Sequence, residues 1–388
     1  MSDFDIIVCG ATGYTGRLVA EHLLKTYGVG KDLAWAIAGR NAGKLAEVRA
    51  EIGASDSLPL VVADASDPKS LAAMVARTKA IITTVGPYQL YGSPLVEACA
   101  TAGVDYVDLT GESHWIAKMI PAHEAAAKKS GARIVFSCGF DSIPFDLGVF
   151  FAEETAKKKF GAYAPRARGR MRAMQGGFSG GTLASGMATM AAQQADPSIG
   201  AVLADPFALT PGFSGPAQPD GETTYEDKAA GSWVAPFMMA GINTKAVHRS
   251  NFLLGHPWGR DFQYDEMLMI PGPPDPNAPP AAGFSFGGGS MPKPGEGPSK
   301  AEREKGFFDQ VVIAEFPDGR SVRVSVKGDM DPGYGSTSKM LGESAVCLVR
   351  DVPRSQTPGG CWTTASAMGD ALIRRLQANA GVTFTVET

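Results

Sequence analysis

Apolar residues in the first third of the chain come in short runs separated by amphipathic stretches. Residues 5–8, 34–38, 60–63, 80–85, 106–109 and 133–137 each read as a short buried strand. Between them lie helical patterns. Leu18, Val19, Leu23 and Leu24 mark an inward face over residues 14–27, and Leu45, Val48 and Ile52 mark another over 41–53. Asn41 is placed to cap the second of these helices. Asp67-Pro68 is a cap followed by proline at the first helical position, and opens a helix to Arg77. Further helices are expected over 94–102 and from about Pro121 to Ser130. Strands alternating with helices predict a parallel sheet covered on both faces. Ligands of such a sheet bind beyond the carboxyl ends of its strands.

The remainder of the chain has a different rhythm. Residues 145–159 read as a crossover helix, 166–173 as a strand and 180–194 as a helix of small residues. Residues 271–298 hold nine Pro and seven Gly and predict an irregular loop, on which Phe284, Phe286 and Met291 either anchor the loop or cover an apolar pocket. Residues 311–316 and 321–327 flank Pro317-Asp318-Gly319-Arg320, a hairpin signal. Helices over 339–350 and 365–377 and a strand over 383–386 follow. The fold class expected is α/β: an N-terminal Rossmann-type doubly wound parallel sheet, then a second α+β domain with an antiparallel sheet.

The loop after the first strand carries the clearest chemistry. Gly10, Gly13 and Gly16 stand three apart, with Ala11, Thr12, Tyr14 and Thr15 between them. One glycine makes the tight turn, one lets the backbone approach a pyrophosphate, and one lets helix and strand pack closely. The spacing is GxxGxxG rather than GxGxxG, because Thr12 takes the middle place. Gly10, Thr12, Gly13, Tyr14, Thr15 and Gly16 are therefore candidate dinucleotide contacts. The second strand ends in Gly39-Arg40-Asn41, with Lys44 nearby and no acid. An acid there would hold a ribose hydroxyl and a cation accommodates a 2′-phosphate, so the cofactor expected is NADP. Asp64 is placed either to meet the adenine region or to form a turn into Ala65-Ser66-Asp67. Val85, Gly86 and Pro87, then Gly111, then Cys138 follow later strands and complete the expected cofactor surface. Tyr88 and Asp141 are the candidate acids. Tyr88 reads equally as packing, and Asp141 or Ser142 equally as a cap for the helix that starts near Pro144.

Composition narrows the function. With 36 Lys+Arg against 40 Asp+Glu the net charge is −4, without the basic excess of a nucleic-acid binder. Five scattered cysteines form no CxxC pair, excluding a disulfide framework and a zinc ribbon. Five histidines form no metal-binding pattern, and no metal is expected. An acidic start and the lack of a long apolar run predict a cytoplasmic chain without a secretory signal or membrane span. Tyr27-x-x-x-Lys31 imitates a dehydrogenase pair, but it lies at the wrong end of the first helix. Lys157, Lys158, Lys159, Arg166, Arg168, Arg170 and Arg172 form a basic stripe without an acid. The four arginines alternate and would share one strand face. They are either a solvated face paired to neighbouring acids or, with Lys157, a surface for an anionic headgroup or phosphopantetheine at the inner membrane face.

Together these motifs resemble the saccharopine dehydrogenase-like oxidoreductases. The resemblance rests on residues 8–16, Ala38-Gly39-Arg40, Val85-Gly86-Pro87-Tyr88, Asp108-Leu109-Thr110-Gly111-Glu112 and Gly139-Phe140-Asp141-Ser142-Ile143-Pro144. Residues 333–340 and Gly359-Gly360-Cys361-Trp362-Thr363 extend it over most of the chain. Within that family the chain is most similar to the trans-acting enoyl reductases. The resemblance implies an NADP-binding Rossmann domain over 1–145, a substrate domain over 146–335 and a C-terminal segment over 336–388 that returns to the first domain. The activity expected is an NADPH-dependent reduction of a double bond in an apolar, lipid-like or carrier-bound substrate; a homo-oligomer is expected as well. The alternatives are a saccharopine-type imine or amino-acid reductase, and a lipid-associated protein that binds NADP(H) without turnover.

Overall fold

The computed structural model describes residues 2–30, 32–273, 292–293 and 295–387. In chain order its elements begin with β1 (Phe4–Cys9), α1 (Tyr14–Tyr27), β2 (Trp35–Gly39), α2 (Ala42–Glu51), β3 (Leu60–Val62), α3 (Pro68–Val75) and β4 (Thr78–Thr83). There follow α4 (Tyr88–Tyr91), α5 (Ser93–Ala102), β5 (Asp105–Val107), α6 (Ser113–Ser130), β6 (Arg133–Val135) and α7 (Ile143–Phe160). The middle comprises β7 (Arg166–Gln175), α8 (Gly180–Ala195), α9 (Ser198–Ala204), β8 (Tyr225–Asp227), β9 (Ser232–Pro236), α10 (Ala240–Leu253) and β10 (Gln263–Ile270). The chain closes with α11 (Lys300–Lys305), β11 (Phe307–Glu315), β12 (Ser321–Gly328), α12 (Thr337–Arg350), β13 (Gly360–Trp362), α13 (Thr364–Asn379) and β14 (Val382–Glu387).

The first sheet runs β13-β6-β5-β4-β1-β2-β3, and its pairs are parallel. Strand order reverses between β1 and β4, which places a crevice at their carboxyl ends. The six N-terminal strands fall where the apolar runs predict them. Asn41 caps α2 through the Lys44 N–H at 3.0 Å, and Asp67 caps α3 through the Lys69 N–H at 2.9 Å. Pro121 does not open a helix. It lies inside α6, which starts eight residues earlier, because the Glu112 loop begins the helix as soon as the chain leaves β5. β13 escapes the sequence pattern because it has only three residues. It adds a seventh parallel strand by pairing with β6.

The second sheet runs β14-β12-β11-β7-β10-β9-β8. It is mixed rather than antiparallel, because β7 and β10 pair in parallel across the long excursion between them. α7 packs against one face of this sheet, where Val149 and Ala152 meet Val312 and Val324. The opposite face carries the arginine stripe, and every arginine in it is paired. Arg166 lies 3.3 Å from Asp265, and Arg168 2.7 Å from Glu315. Arg170, fully buried, lies 2.7 Å from both Asp227 and Asp265. Arg172 lies 2.6 Å from Glu387. Lys157 donates to the Gly161 carbonyl and covers the Tyr163 ring. The four arginines are thus matched within the sheet, the alternative of a strand face paired to neighbouring acids, while Lys157, Lys158 and Lys159 lie on α7. The sequence hid this because the acids come from β8, β10, β11 and β14. Phe284, Phe286 and Met291 lie outside the described residues.

Two sections of chain tie the sheets together. α12 packs on α1 and β4, and β14 joins the second sheet beside β12. Arg133 spans this junction: it pairs with Asp105 at 2.5 Å and donates to the Val352 and Leu348 carbonyls at 2.6 Å. Among the described residues no helix is long and apolar enough to cross a membrane, and no group of residues could hold a metal.

Candidate active site

The glycine loop shows why its residue types are needed. Gly10 has φ +86°, and a Cβ there would lie 2.8 Å from Thr84 Oγ1 and 2.9 Å from Val85 Cγ2. A Cβ at Gly16 would stand 2.2 Å from the Gly10 carbonyl oxygen, so helix and turn touch there. At Gly13 a Cβ would lie 3.3 Å from the Gly10 carbonyl oxygen, a tight contact but a far milder one than at Gly16. Gly13 begins α1, and no side chain caps the helix. The first N–H groups of α1 therefore face the crevice without a side-chain acceptor, a site that suits a pyrophosphate. Thr12 packs its methyl toward Gly39, and Thr15 lines the crevice. The Tyr14 ring turns away, edge-on to Tyr334 with centroids 5.2 Å apart, and its hydroxyl takes a 2.9 Å bond from Arg303.

Arg40 and Lys44 are exposed just beyond β2, with no acid on that loop. Asp64 forms the turn: its Oδ1 accepts from the N–H and hydroxyl of Ser66 at 2.9 and 2.7 Å. These bonds hold its carboxyl below the usual range, with help from Arg40.

Beyond β1, β4, β5 and β6 lies a cavity of about 440 Å³. Its floor comprises Thr84, Gly86, Tyr88, Leu109, Thr110, Gly111, Glu112, Gly139, Phe140 and Asp141. Its roof comes from α8 (Gly181, Thr182, Ser185, Gly186, Thr189), with Leu203, Met239, Ile242, Tyr334 and Thr337 at the sides. At Gly111 a Cβ would lie 2.9 Å from Ile242 Cδ1, so a side chain there would push the tip of Ile242 aside. Pro87 directs the chain into α4, whose first N–H groups are met by a carboxylate. Glu112 accepts from the Tyr88 N–H at 2.9 Å and the Gln89 N–H at 2.7 Å. Gln89 in turn donates to Thr189 at 3.1 Å, and so joins floor and roof. Val85 closes over Gly10 rather than lining the cavity. Cys138 turns its thiol into the core against the Val135 carbonyl, so only its backbone can face a cofactor.

The two candidate acids differ in availability. The Tyr88 hydroxyl donates to the Thr83 carbonyl at 3.0 Å, so its proton is committed to the backbone, and burial raises its pKa well above the usual value. Asp141 has a buried Oδ1 with no hydrogen-bond partner. Desolvation alone raises its carboxyl to about 7. Neither Asp141 nor Ser142 caps α7 through its side chain. The Asp141 loop is held from behind: Thr337 accepts the Phe140 N–H at 2.9 Å while donating to the Pro332 carbonyl at 2.8 Å. Asp108 organises the adjoining loops by accepting the Thr110 and Ser137 N–H groups, but it does not line the cavity. The sequence did not single out Glu112, Tyr334 or Thr337, although each lies in a motif that carries the resemblance. The roof residues of α8 carry no polar signal strong enough to have found them.

Residues 6–135 match the family model of the saccharopine dehydrogenase NADP-binding domain. A trans-acting enoyl reductase of Mycobacterium tuberculosis is 35% identical, over 96% of this chain and 96% of that protein. A second relative from that organism, whose name gives the same activity provisionally, is 38% identical over 98% of this chain and 97% of its own. The chain belongs to the saccharopine dehydrogenase-like oxidoreductases, among the trans-acting enoyl reductase relatives. It is an NADP-dependent oxidoreductase. A Mycobacterium ulcerans trans-acting enoyl reductase, 36% identical over 96% of each chain, extends the same relationship. The fold is shared with saccharopine dehydrogenase (L-Glu forming) of Saccharomyces cerevisiae. That structure superposes with a TM-score of 0.55 at 12% identity and covers 99% of this chain and 100% of its own.

Proposed function

We propose that the protein reduces a carbon–carbon double bond conjugated to a carbonyl in an apolar, lipid-like substrate. The observation that carries this reading is the charge of the cavity. Among the described residues that line it there is no arginine and no lysine, and the only carboxyls are Glu112 and Asp141. A saccharopine-type substrate carries several carboxylates and would need cations there. Glu112 is already compensated by two backbone N–H groups, and burial pushes Asp141 toward its neutral form. What remains is an apolar surface with hydroxyls.

NADPH, when bound, supplies the hydride that adds to the β-carbon. The chain's own residues bind, orient and protonate. The glycine loop and α1 would hold the pyrophosphate, and Arg40 with Lys44 would suit the 2′-phosphate. Gly86, Gly111 and Gly139 leave room for a flat ring beside the substrate. Asp141 carries a proton near neutral pH and can deliver it to the α-carbon, after which water restores it. Tyr88, with its hydroxyl on the Thr83 carbonyl, shapes the cavity floor rather than acting as the acid.

Deuterium-labelled NADPH and a panel of enoyl thioesters test this. Deuterium at the β-carbon of the saturated product is the expected result. No transfer to any enoyl substrate, with turnover of a 2-oxoacid plus amine instead, would overturn it.

A further inference from the structure

Tyr334 stands where three parts of the site meet. It lies in a single π-helical turn, Pro332–Ser336, a rare geometry that recurs at functional sites. The Asp331 carboxylate fixes this turn by accepting the Tyr334 and Gly335 N–H groups at 3.0 and 2.7 Å. On one side the Tyr334 ring meets Tyr14 of the glycine loop. On the other its hydroxyl oxygen accepts the Ser179 N–H at 2.5 Å and shares a 2.6 Å hydrogen bond with Thr182 Oγ1. Ser179 caps α8, the roof, and Thr182 lies in its first turn. Three residues after Tyr334, Thr337 holds the Phe140 N–H beside Asp141. The roof depends on such holds. α8 has no charged residue in its 16 positions, and only Gly180 within it is buried. Gly181 and Gly186 weaken its own helical preference. Packing therefore contributes little, and hydrogen-bonded tethers set where the helix lies. At its start these are the two bonds to Tyr334 and one from the Gly180 N–H to the Glu296 carbonyl at 3.1 Å. Further along is the bond from Gln89 to Thr189. The chain just after Glu296 also reaches the glycine loop, where the Pro298 carbonyl and Arg303 both bind the Tyr14 hydroxyl.

We infer that Tyr334 is a positioning residue that couples the two sites, so that cofactor bound at the glycine loop fixes α8 over the substrate cavity. Tyr14 is the first residue of α1. A pyrophosphate accepting the first N–H groups of that helix would hold the Tyr14 backbone, and with it the ring on which Tyr334 rests. Tyr334 in turn carries the first turn of α8. The contacts run without a break from phosphate-binding turn to roof, so no distant displacement has to be transmitted. The consequence is an order of events: NADP(H) binds first, and the roof shuts water out of the cavity when a hydride donor is in place. This rests on the reading of the cavity as the place where substrate meets NADPH, and is independent of whether the substrate is an enoyl compound.

Amide hydrogen exchange of the full-length protein, with NADP⁺ as the probe, tests this. In the wild type, saturating NADP⁺ should slow exchange in residues 180–190 about fivefold or more, as well as in α1. Tyr334→Phe keeps the ring against Tyr14 and removes both bonds to α8. In that variant the protection of α1 should remain, and that of residues 180–190 should fall to within about twofold of the cofactor-free protein. Thr182→Val, which leaves Tyr334 intact and removes one of the two bonds, should show the same change at smaller size. Thr189→Val cuts a tether that does not touch the glycine loop. It should loosen α8 with and without NADP⁺ alike and leave the response to cofactor in place. In turnover of a hexenoyl N-acetylcysteamine thioester, Tyr334→Phe should raise the KM for the thioester about tenfold and leave that for NADPH within about twofold. A response of residues 180–190 to NADP⁺ that survives in Tyr334→Phe overturns the proposal, because the cofactor would then act on α8 directly. So does a wild-type roof that does not respond. Loss of the α1 protection in Tyr334→Phe also overturns it, and makes the tyrosine part of the cofactor site alone. If the wild type does not reduce the thioester but the exchange pattern holds, the coupling stands and the enoyl-reduction reading fails.

Discussion

Asp141→Asn separates the two effects of a desolvated carboxyl. Burial raises the Asp141 carboxyl from 3.8 to about 7, with no compensating hydrogen bond. That displacement corresponds to roughly 4 kcal/mol of penalty on the charged form. Its sign for stability follows from proton binding. Below pH about 4 both native and unfolded chains carry the proton, and the group contributes no difference. Between about 4 and 7 the native protein holds a proton that the unfolded chain has lost, so stability falls as pH rises. Above about 7 the loss is complete. The asparagine variant lacks this slope. The stability of the variant relative to wild type, measured by denaturant unfolding without cofactor at pH 4 and pH 8, should therefore shift in the variant's favour by up to about 4 kcal/mol. Buried Glu266 senses the Asp141 charge, so its own raised carboxyl relaxes in the variant and adds to the difference in the same direction; carboxyls away from Asp141 cancel. In the same variant reduction should collapse, while wild-type kcat should decline as pH rises through about 7. A stability difference that is the same at pH 4 and pH 8 would refute the argument, because it would mean the charged carboxylate is compensated.

Other outcomes follow from single contacts. Gly16→Ala should prevent NADPH binding or folding, because its Cβ meets a backbone carbonyl at 2.2 Å; Gly13→Ala should fold and bind NADPH more weakly, as read by nicotinamide fluorescence. Arg40→Asp, at an exposed position, should leave stability within about 0.5 kcal/mol and reverse the ratio of NADPH to NADH affinities. Arg170→Leu leaves Asp227 and Asp265 buried without their shared cation, and should cost about 3–5 kcal/mol in denaturant unfolding. Tyr88→Phe removes the bond to the Thr83 carbonyl and should cost about 1 kcal/mol of stability, with kcat changed only a few-fold. A large loss of kcat in that variant would restore the tyrosine as the acid.

Local chemistry made the nucleotide-binding half legible. A strand, a glycine turn and a helix are neighbours in sequence, so Gly10, Gly13 and Gly16 announce their roles through spacing alone. The same holds for Asn41 and Asp67, whose caps reach only two or three residues ahead. The hairpin at Asp318-Gly319 is local too, with Gly319 at φ +87°. Residues 205–270 were harder to read. β8, β9 and β10 are short or polar, and their stability comes from partners far along the chain.

What the sequence determined by itself was the parallel sheet, the phosphate-binding turn and the preference for a cation at residue 40. The turn and the cation depend on near neighbours in sequence, and the sheet on a strand–helix alternation that repeats locally. Tertiary structure decided the charge state of everything else. It paired the arginines of β7 with acids from four other strands, and so turned a basic stripe into sheet structure. It bound the Tyr88 hydroxyl to a backbone carbonyl and left Asp141 without a partner. It also folded an uncharged helix over both. Burial and long-range pairing set whether an ionisable side chain is an acid, a strut or a counter-ion, and neither can be read from neighbours in the chain.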